Sequence, residues 1–231
     1  MALILETGVV GGSVAVYRDD YELIDFWTGT QHNSRILEIF EGAGQLLAEN
    51  KINKNTIGRI VVSKGPGSYT GIRNGWATAL GLARSLRCAM VAVSVLEALT
   101  VSAANGPRGR ILTAIPFGKT QICRQEFNAE KHASKIKNVC TPVVLQKKDF
   151  VKNVIARNPD RIVLHGSLFA EMMSEKYTEW STEWSNEKCF INAGENMAIL
   201  LGKYLKENPD LQKEQESGGE AVHPLYISES K

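Results

Sequence analysis

The residues with the clearest chemical potential form a glycine-rich loop. A predicted strand, Arg59–Ser63, leads into Lys64-Gly65-Pro66-Gly67-Ser68-Tyr69-Thr70-Gly71, where a predicted helix opens. Unpaired amides and the dipole at a helix N-terminus favour an anion, so Gly65, Gly67 and Ser68 form a candidate phosphate-binding loop. The loop lacks the Gly-Lys-Ser/Thr ending of a Walker motif. Glycine's backbone freedom alone would also explain a tight strand-to-helix turn, and we favour that structural interpretation.

A second candidate is the carboxylate at the end of the first predicted strand. Glu6 follows the apolar run Leu3-Ile4-Leu5, where an acid could hold a metal ion or a water molecule. Mg²⁺ is normally held by one or two carboxylates together with substrate phosphates, so one acid alone makes a poor site. We therefore expect Glu6 to be solvated or structural.

The histidines, serines and cysteines show no catalytic or metal-binding spacing. His32, His132, His165 and His223 form no His-Glu-x-x-His pair, and Ser68 lies outside a Gly-x-Ser-x-Gly elbow. The four cysteines are far apart and form no Cys-x-x-Cys pair, which favours reduced thiols in a cytosolic protein. The sequence thus predicts no catalytic residue and no metal site.

The composition is that of an ordinary globular protein. The chain has 231 residues, of which 43% are hydrophobic and 23% charged, with a formal net charge of +2. Such a charge argues against nucleic-acid binding by this chain alone. The N-terminus lacks a positive n-region and no apolar run approaches the length of a membrane span, so we predict a cytoplasmic protein without membrane contact.

Strands, turns and two helices must position the glycine-rich loop. Strand signals at Leu3–Leu5, Ser13–Tyr17 and Leu23–Trp27, separated by short turns, predict an antiparallel meander. One helix follows Asn33 or Ser34, with an apolar stripe formed by Ile36, Phe40, Ala43 and Leu47 and widened by Ile39 and Leu46. The helix after the loop has the predicted stripe Ile72, Trp76, Leu80, Ala83 and Leu86.

The second half of the chain repeats this plan in weaker form. A hairpin is predicted at Arg110–Arg124, a strand and helix follow Asp160, and a polar tail of 207–220 reads as a solvated linker. Two copies of one plan predict an α/β, two-lobed actin-like (ASKHA) duplicated fold with mixed sheets flanked by helices. We place the N-terminal lobe at 1–105 and the C-terminal lobe at 106–231. The last helix, about 195–206, is a candidate to pack back on the first lobe.

Several segments resemble the TsaB (YeaZ-like) family. The family's loop motif matches Gly65-Pro66-Gly67-Ser68-Tyr69-Thr70-Gly71-Ile72-Arg73, and its opening hairpin is similar to Ile4-Leu5-Glu6-Thr7 followed by Ser13-Val14-Ala15. Its helix start and its C-terminal motif resemble Asn33-Ser34-Arg35-Ile36-Leu37 and Pro224-Leu225-Tyr226-Ile227. The resemblance is strong over residues 2 to 100 and weak over the remainder.

The resemblance implies a non-catalytic subunit that binds and activates TsaD, the homologous enzyme that transfers threonylcarbamoyl to adenosine 37 of transfer RNA. It implies a partner interface on the two N-lobe helices, which we assign to Ser34, Arg35, Gly42, Gly71, Gly75 and Thr78. Transfer RNA would be reached only through the complex. No cofactor is predicted, although ATP or ADP could bind at the partner interface and a TsaE-like ATPase could join. The chain alone could form a homodimer through the same helices.

The chain also departs from the family's pattern. Glu6 and Gly8 replace the usual Asp and Ser, Pro116-Phe117-Gly118 replaces Asp-Ala-Arg, and Ser228 replaces the terminal Arg. Leu164-His165-Gly166 stands where the family has a Gly-Asp-Gly turn. The missing second-lobe acid argues against the alternative function, a stand-alone nucleotide-dependent transferase or hydrolase of the same fold. ATP binding that depends on Gly65 and Gly67 would favour that alternative.

Overall fold

The chain folds into two compact units. The structure, a computed structural model, describes residues 1–9, 11–29, 36–101, 108–130, 136–174, 189–192, 196–217 and 223–225. One unit consists of Met1–Ala98 with Asn196–Tyr226, and the other is built on Leu99–Glu195. The boundary predicted from the sequence lies after residue 105, and the last helix is the predicted candidate to pack back on the first lobe.

The elements follow one another in a mixed α/β order. The strands are β1 (Ala2–Glu6), β2 (Ser13–Tyr17), β3 (Leu23–Thr28), β4 (Arg59–Ser63), β5 (Ala89–Val93), β6 (Gly109–Phe117), β7 (Gln121–Ala129), β8 (Ile136–Asn138), β9 (Val143–Gln146), β10 (Arg161–Leu164) and β11 (Cys189–Asn192). The helices are α1 (Ile36–Glu49), α2 (Tyr69–Leu86), α3 (Val95–Val101), α4 (Lys147–Arg157), α5 (Gly166–Met172), α6 (Met197–Glu207) and α7 (Leu211–Ser217). A 3₁₀ turn spans Lys54–Thr56.

A five-stranded mixed sheet forms the centre of the first unit. Its order is β3-β2-β1-β4-β5. The pairs β1–β2 and β2–β3 are antiparallel, while β4 and β5 extend the sheet in parallel with β1. The predicted meander and the predicted strand after the first helix, Arg59–Ser63, are confirmed. Every residue of β1 and β2 is buried, because helices cover both faces of the sheet.

Helices α1 and α2 cover one face and share its core. Strand side chains such as Leu5, Val14 and Val62 form one apolar cluster with Ile39 of α1 and Trp76 of α2. The prediction that Phe40 and Leu80 belong to the buried stripes is wrong, since these side chains are 56% and 45% exposed. The buried faces are centred instead on Ile39, Ala43 and Leu46 in α1 and on Ile72, Trp76, Ala79 and Ala83 in α2.

Helix α6 covers the opposite face of the same sheet. The Tyr17 hydroxyl donates a hydrogen bond to the Ile199 carbonyl over 3.0 Å, and the Ala198 amide donates to Ser13 Oγ over 3.0 Å. Gly202 lies where a Cβ would overlap the Tyr17 ring. These contacts place the segment after Asn196 in the first unit, so this part of the predicted range 106–231 is not part of the second unit.

Helix α7 protects the edge strand β5. The Gln215 side chain accepts a hydrogen bond from the Ala92 amide at 3.0 Å and donates one to the Ala92 carbonyl at 2.7 Å. These two hydrogen bonds match the pair that a residue of a neighbouring strand would form with Ala92. The interpretation of 207–220 as a solvated linker is therefore wrong for the part of it that forms α7.

The second unit has its own mixed sheet, in the order β11-β10-β6-β7-β8, with β9 also paired to β7. The predicted hairpin is β6–β7, and the predicted strand and helix after Asp160 are β10 and α5. Helices α4 and α5 cover this sheet around Leu112, Phe150 and Leu168. A buried ion pair joins Arg124 to Glu126 at 2.7 Å.

Candidate partner-binding surface

The glycine-rich loop is closed by hydrogen bonds from within the chain. Ser68 caps α2, since its Oγ accepts a hydrogen bond from the Gly71 amide at 3.3 Å. The Ser68 amide itself donates to the Gly8 carbonyl over 2.7 Å, and the Gly65 amide donates to Ser63 Oγ over 3.1 Å. These three amides thus have acceptors inside the protein. Phosphate binding at Gly65, Gly67 and Ser68 stays a prediction.

The glycines at the start of α2 lie directly against the end of β1. A Cβ at Gly67 would come within 2.5 Å of the Gly8 carbonyl oxygen. A Cβ at Gly71 would overlap the Thr7 carbonyl, and a Cβ at Gly75 would overlap Thr7 Oγ1. Thr7 Oγ1 also donates a hydrogen bond to the Gly71 carbonyl over 2.7 Å. The fold of the chain itself therefore requires these small residues.

The residues assigned to the partner interface fall into three groups. Ser34 and Arg35 lie outside the described residues. Gly42 and Gly75 are buried, and a Cβ at Gly42 would come within 2.5 Å of the Trp27 ring. Gly71 and Thr78 are half-buried. Their place in a partner interface stays a prediction, although contacts within the chain already account for the three glycines.

Glu6 is held inside the protein by its own turn. The side chain is 1% exposed, and its Oε1 accepts hydrogen bonds from the amides of Gly8 at 2.6 Å and Val9 at 3.0 Å. Burial raises the pKa of this carboxyl to about 7, against the lowering effect of the amide hydrogen bonds. Of the two expected roles, the structural one fits, because the group is not solvated.

Among the other chemical candidates, His165 has a local role, whereas His32 and His132 lie outside the described residues. His165 is buried at the start of α5, and its Nδ1 lies 2.9 Å from Ser167 Oγ. Over the described ranges, no three His, Cys, Asp or Glu side chains lie close enough together to hold a metal ion. The helices of those ranges include none that is long and apolar enough to cross a membrane.

The strongest candidate for function is the exposed side of α1 and α2. Leu37 and Phe40 of α1 are 68% and 56% exposed, and Tyr69 and Leu80 of α2 are 57% and 45% exposed. A groove of about 420 Å³ runs along α2, bordered by Tyr69, Trp76 and Leu80 among others. Large apolar side chains gathered on one surface commonly mark a site of protein–protein contact.

Arg73 adds a fixed charge to this surface. Its guanidinium lies 5.3 Å from the centre of the Tyr69 ring and donates a hydrogen bond to the Tyr69 hydroxyl over 3.4 Å. Leu37 and Tyr69 were not predicted to lie on this surface, and Phe40 and Leu80 were predicted to be buried. The available signal was that α1 and α2 have more large apolar residues than one buried face can hold.

Comparisons with known proteins point to one family. A family model described as TsaD, tRNA N6-adenosine threonylcarbamoyltransferase, matches residues 28–157, more than half of the chain. The chain is 36% identical over 104 residues to the tRNA threonylcarbamoyladenosine biosynthesis protein TsaB of Bacillus subtilis, covering 45% of this chain and 44% of that protein. The matched part spans less than two thirds of the length of the curated relatives.

Solved structures show the same fold. YeaZ from Pseudomonas aeruginosa superposes with a TM-score of 0.64 at 18% identity, covering 98% of this chain and 99% of that chain. The Lmo2764 protein from Listeria monocytogenes superposes with a TM-score of 0.53 at 11% identity, covering 90% of this chain and 99% of that chain. The predicted actin-like (ASKHA) fold is confirmed.

Proposed function

Because the chain belongs to the TsaB (YeaZ-like) family, we propose that it takes part in making threonylcarbamoyladenosine on transfer RNA. In this proposal it is a non-catalytic subunit that binds a TsaD homologue and activates it. Transfer RNA is bound by the complex and not by this chain alone. A TsaE-like ATPase and a nucleotide at the partner interface remain predictions.

The exposed apolar side of α1 and α2 is the observation that supports partner binding. Leu37, Phe40, Tyr69 and Leu80 stand on two neighbouring helices that the sheet holds from behind. A rigid support of this kind presents a surface with little loss of conformational entropy on binding. We place the partner contact on these outward faces, whereas Gly42 and Gly75 are buried against the chain itself.

Glu6 supports the non-catalytic role. Its carboxylate oxygen Oε1 already accepts two backbone amides, and the side chain is buried within the first unit. A carboxyl group in this position stabilises its own turn and is poorly placed to meet a substrate. Pro116, within β6, carries no side-chain group for acid–base or metal chemistry.

A reconstituted reaction tests the proposal. We expect the TsaD homologue of the same organism, with tRNA, a threonylcarbamoyl donor and any required ATPase, to modify tRNA at least ~tenfold faster with this chain present. Leu80→Asp should remove that stimulation, because burying a charge in an apolar contact is unfavourable. Ile155→Asp is the matched control, since Ile155 is 43% exposed on α4 of the second unit. No stimulation by the wild-type chain would contradict the proposal.

A further inference from the structure

The basic residues of the chain are concentrated in one stretch of the sequence. The 50 residues of 108–157 include eleven Lys and Arg but only three Asp and Glu. The other 181 residues include 16 Lys and Arg and 22 Asp and Glu. The formal net charge of +2 therefore combines a strongly basic stretch with an acidic remainder, and it describes the surface of neither part.

The basic stretch lies in the second unit, where most of its acids are already in ion pairs. Glu126 is buried beside Arg124 at 2.7 Å, and Glu130 lies 3.4 Å from Lys137. Among the described residues, Asp149 is the one acid of the stretch that forms no ion pair. The excess of positive charge is therefore not neutralised within the described part of this unit.

Three lysines of this stretch gather at the start of α4. Lys119 lies in the turn between β6 and β7, and the Thr120 carbonyl of that turn accepts a hydrogen bond from the Lys147 amide over 2.9 Å. Lys148 and Lys152 follow on α4, one helical turn and about 6 Å apart on the same side. Lys119, Lys148 and Lys152, here called the lysine cluster, are exposed and form no ion pair with another described residue.

The chemistry of the lysine cluster fits phosphate better than it fits a protein or a membrane. Lysine is depleted in protein–protein interfaces, whereas its ammonium group is a common partner of phosphate oxygens. A helix that binds a membrane surface needs a free apolar side, but α4 uses its apolar side, with Phe150 and Val154, to cover its own sheet. A nucleic-acid backbone presents the phosphates that such a cluster can bind.

We propose that the lysine cluster binds the phosphate backbone of the transfer RNA that the complex modifies. The inference rests on the proposed function and deepens it, since it names residues of this chain that contact the RNA. Proteins that bind nucleic acid strongly through charge make about six to ten phosphate contacts. Three lysines are too few for that, so the cluster adds to RNA binding by the complex and does not replace it.

Binding of tRNA to the preformed complex with the TsaD homologue tests the inference. The variant Lys148→Gln with Lys152→Gln removes two charges without adding repulsion. By fluorescence anisotropy at low salt, we expect its complex to bind tRNA at least ~fivefold more weakly than the wild-type complex does. The slope of log K against log salt concentration should become shallower by about 1 to 2, because each lost phosphate contact removes about 0.7 to 0.9.

A matched control changes two lysines of the first unit. Lys203 and Lys206 are exposed on α6, and Lys203→Gln with Lys206→Gln should leave the tRNA affinity and the salt slope unchanged. In the modification reaction, the Lys148 and Lys152 variant should raise KM for tRNA at least ~fivefold and keep kcat within about twofold. Ile155 lies on the same side of α4, so the stimulation assay with Ile155→Asp uses saturating tRNA, at which a weakened RNA contact does not limit the rate.

The possible outcomes separate this inference from the proposed function. An unchanged tRNA affinity and salt slope in the folded variant, with its complex intact, would overturn the inference and leave the proposed function standing. Weaker binding of the variant to the TsaD homologue itself would also overturn it, because the lysines would then contact a protein. A wild-type chain that neither binds nor stimulates the TsaD homologue would contradict the proposed function, and this inference with it.

Discussion

At the residue scale, the Glu6 carboxyl makes the stability of the fold depend on pH. It is fully buried at the end of β1, and its pKa is raised to about 7. An acid whose pKa is higher in the folded than in the unfolded state stabilises the fold when protonated. Its contribution is complete below the unfolded pKa of about 4.5 and is lost as the pH rises through about 7.

We therefore expect Glu6→Gln to change the pH dependence of stability. At pH 5 the wild type and the variant should have similar free energies of unfolding, because Glu6 is protonated. At pH 8 the variant should be more stable by up to about 3 kcal/mol, because the wild type holds a buried charge. Urea denaturation at both pH values measures the difference, and parallel curves for the two proteins would contradict this account of Glu6.

Two glycines in α2 give a matched pair of substitutions. Gly75→Ala places a Cβ against Thr7 Oγ1 and should lower the free energy of unfolding by about 1–3 kcal/mol. Gly81→Ala places a Cβ in open space and should raise that free energy by up to about 1 kcal/mol, because alanine favours the helix. Thermal unfolding checks both, and effects of the same sign at the two positions would show that Gly75 is not fixed by Thr7.

At the element scale, α7 replaces a missing neighbour of β5. The Gln215 side chain takes both hydrogen bonds of Ala92 at the open edge of the sheet. We expect Gln215→Ala to destabilise the first unit by about 1–2 kcal/mol. The Ala92 amide should also exchange with solvent faster, as hydrogen exchange would measure. Lys213→Ala is the control on the exposed side of α7, and equal exchange in both variants would argue against this role of Gln215.

Strands and helices differed in how well the sequence predicted them. The apolar runs of β1, β2 and β4 predicted strands correctly, because each run is short and bounded by turns. The buried faces of α1 and α2 were harder to predict, because Phe40 and Leu80 fit a helical apolar period as well as the buried Ile39 and Ala79 do. Helical periodicity shows which face of a helix is apolar. It cannot distinguish an apolar face that packs in the core from one that binds a partner.

The candidate site was predicted in part. The family resemblance implied a partner interface on the two N-lobe helices, which stays a prediction. The glycines named for it, such as Gly71 and Gly75, pack against the chain's own backbone and side chains. Small residues in a helix indicate that another part of a protein packs closely against it, but they do not identify that part. Only the position of Thr7 beside α2 showed that the neighbour is β1. The role of Gln215 had no sequence signal, because polar residues dominate α7.

At the scale of the whole molecule, the last helices complete the first unit from a distant part of the sequence. Helix α6 covers the face of the sheet opposite α1 and α2, and α7 closes its edge. With one face and one edge covered in this way, the exposed sides of α1 and α2 stand out as the surface available to a partner. This arrangement is the physical basis of the proposed scaffold role.

The central claim is that this surface binds a TsaD homologue. Size-exclusion chromatography with light scattering, on this chain mixed with the TsaD homologue of the same organism, tests it most directly. We predict a one-to-one complex that Leu80→Asp weakens at least ~tenfold and that Ile155→Asp leaves unchanged. A wild-type chain that is folded yet elutes separately from the TsaD homologue at micromolar concentrations would contradict the claim.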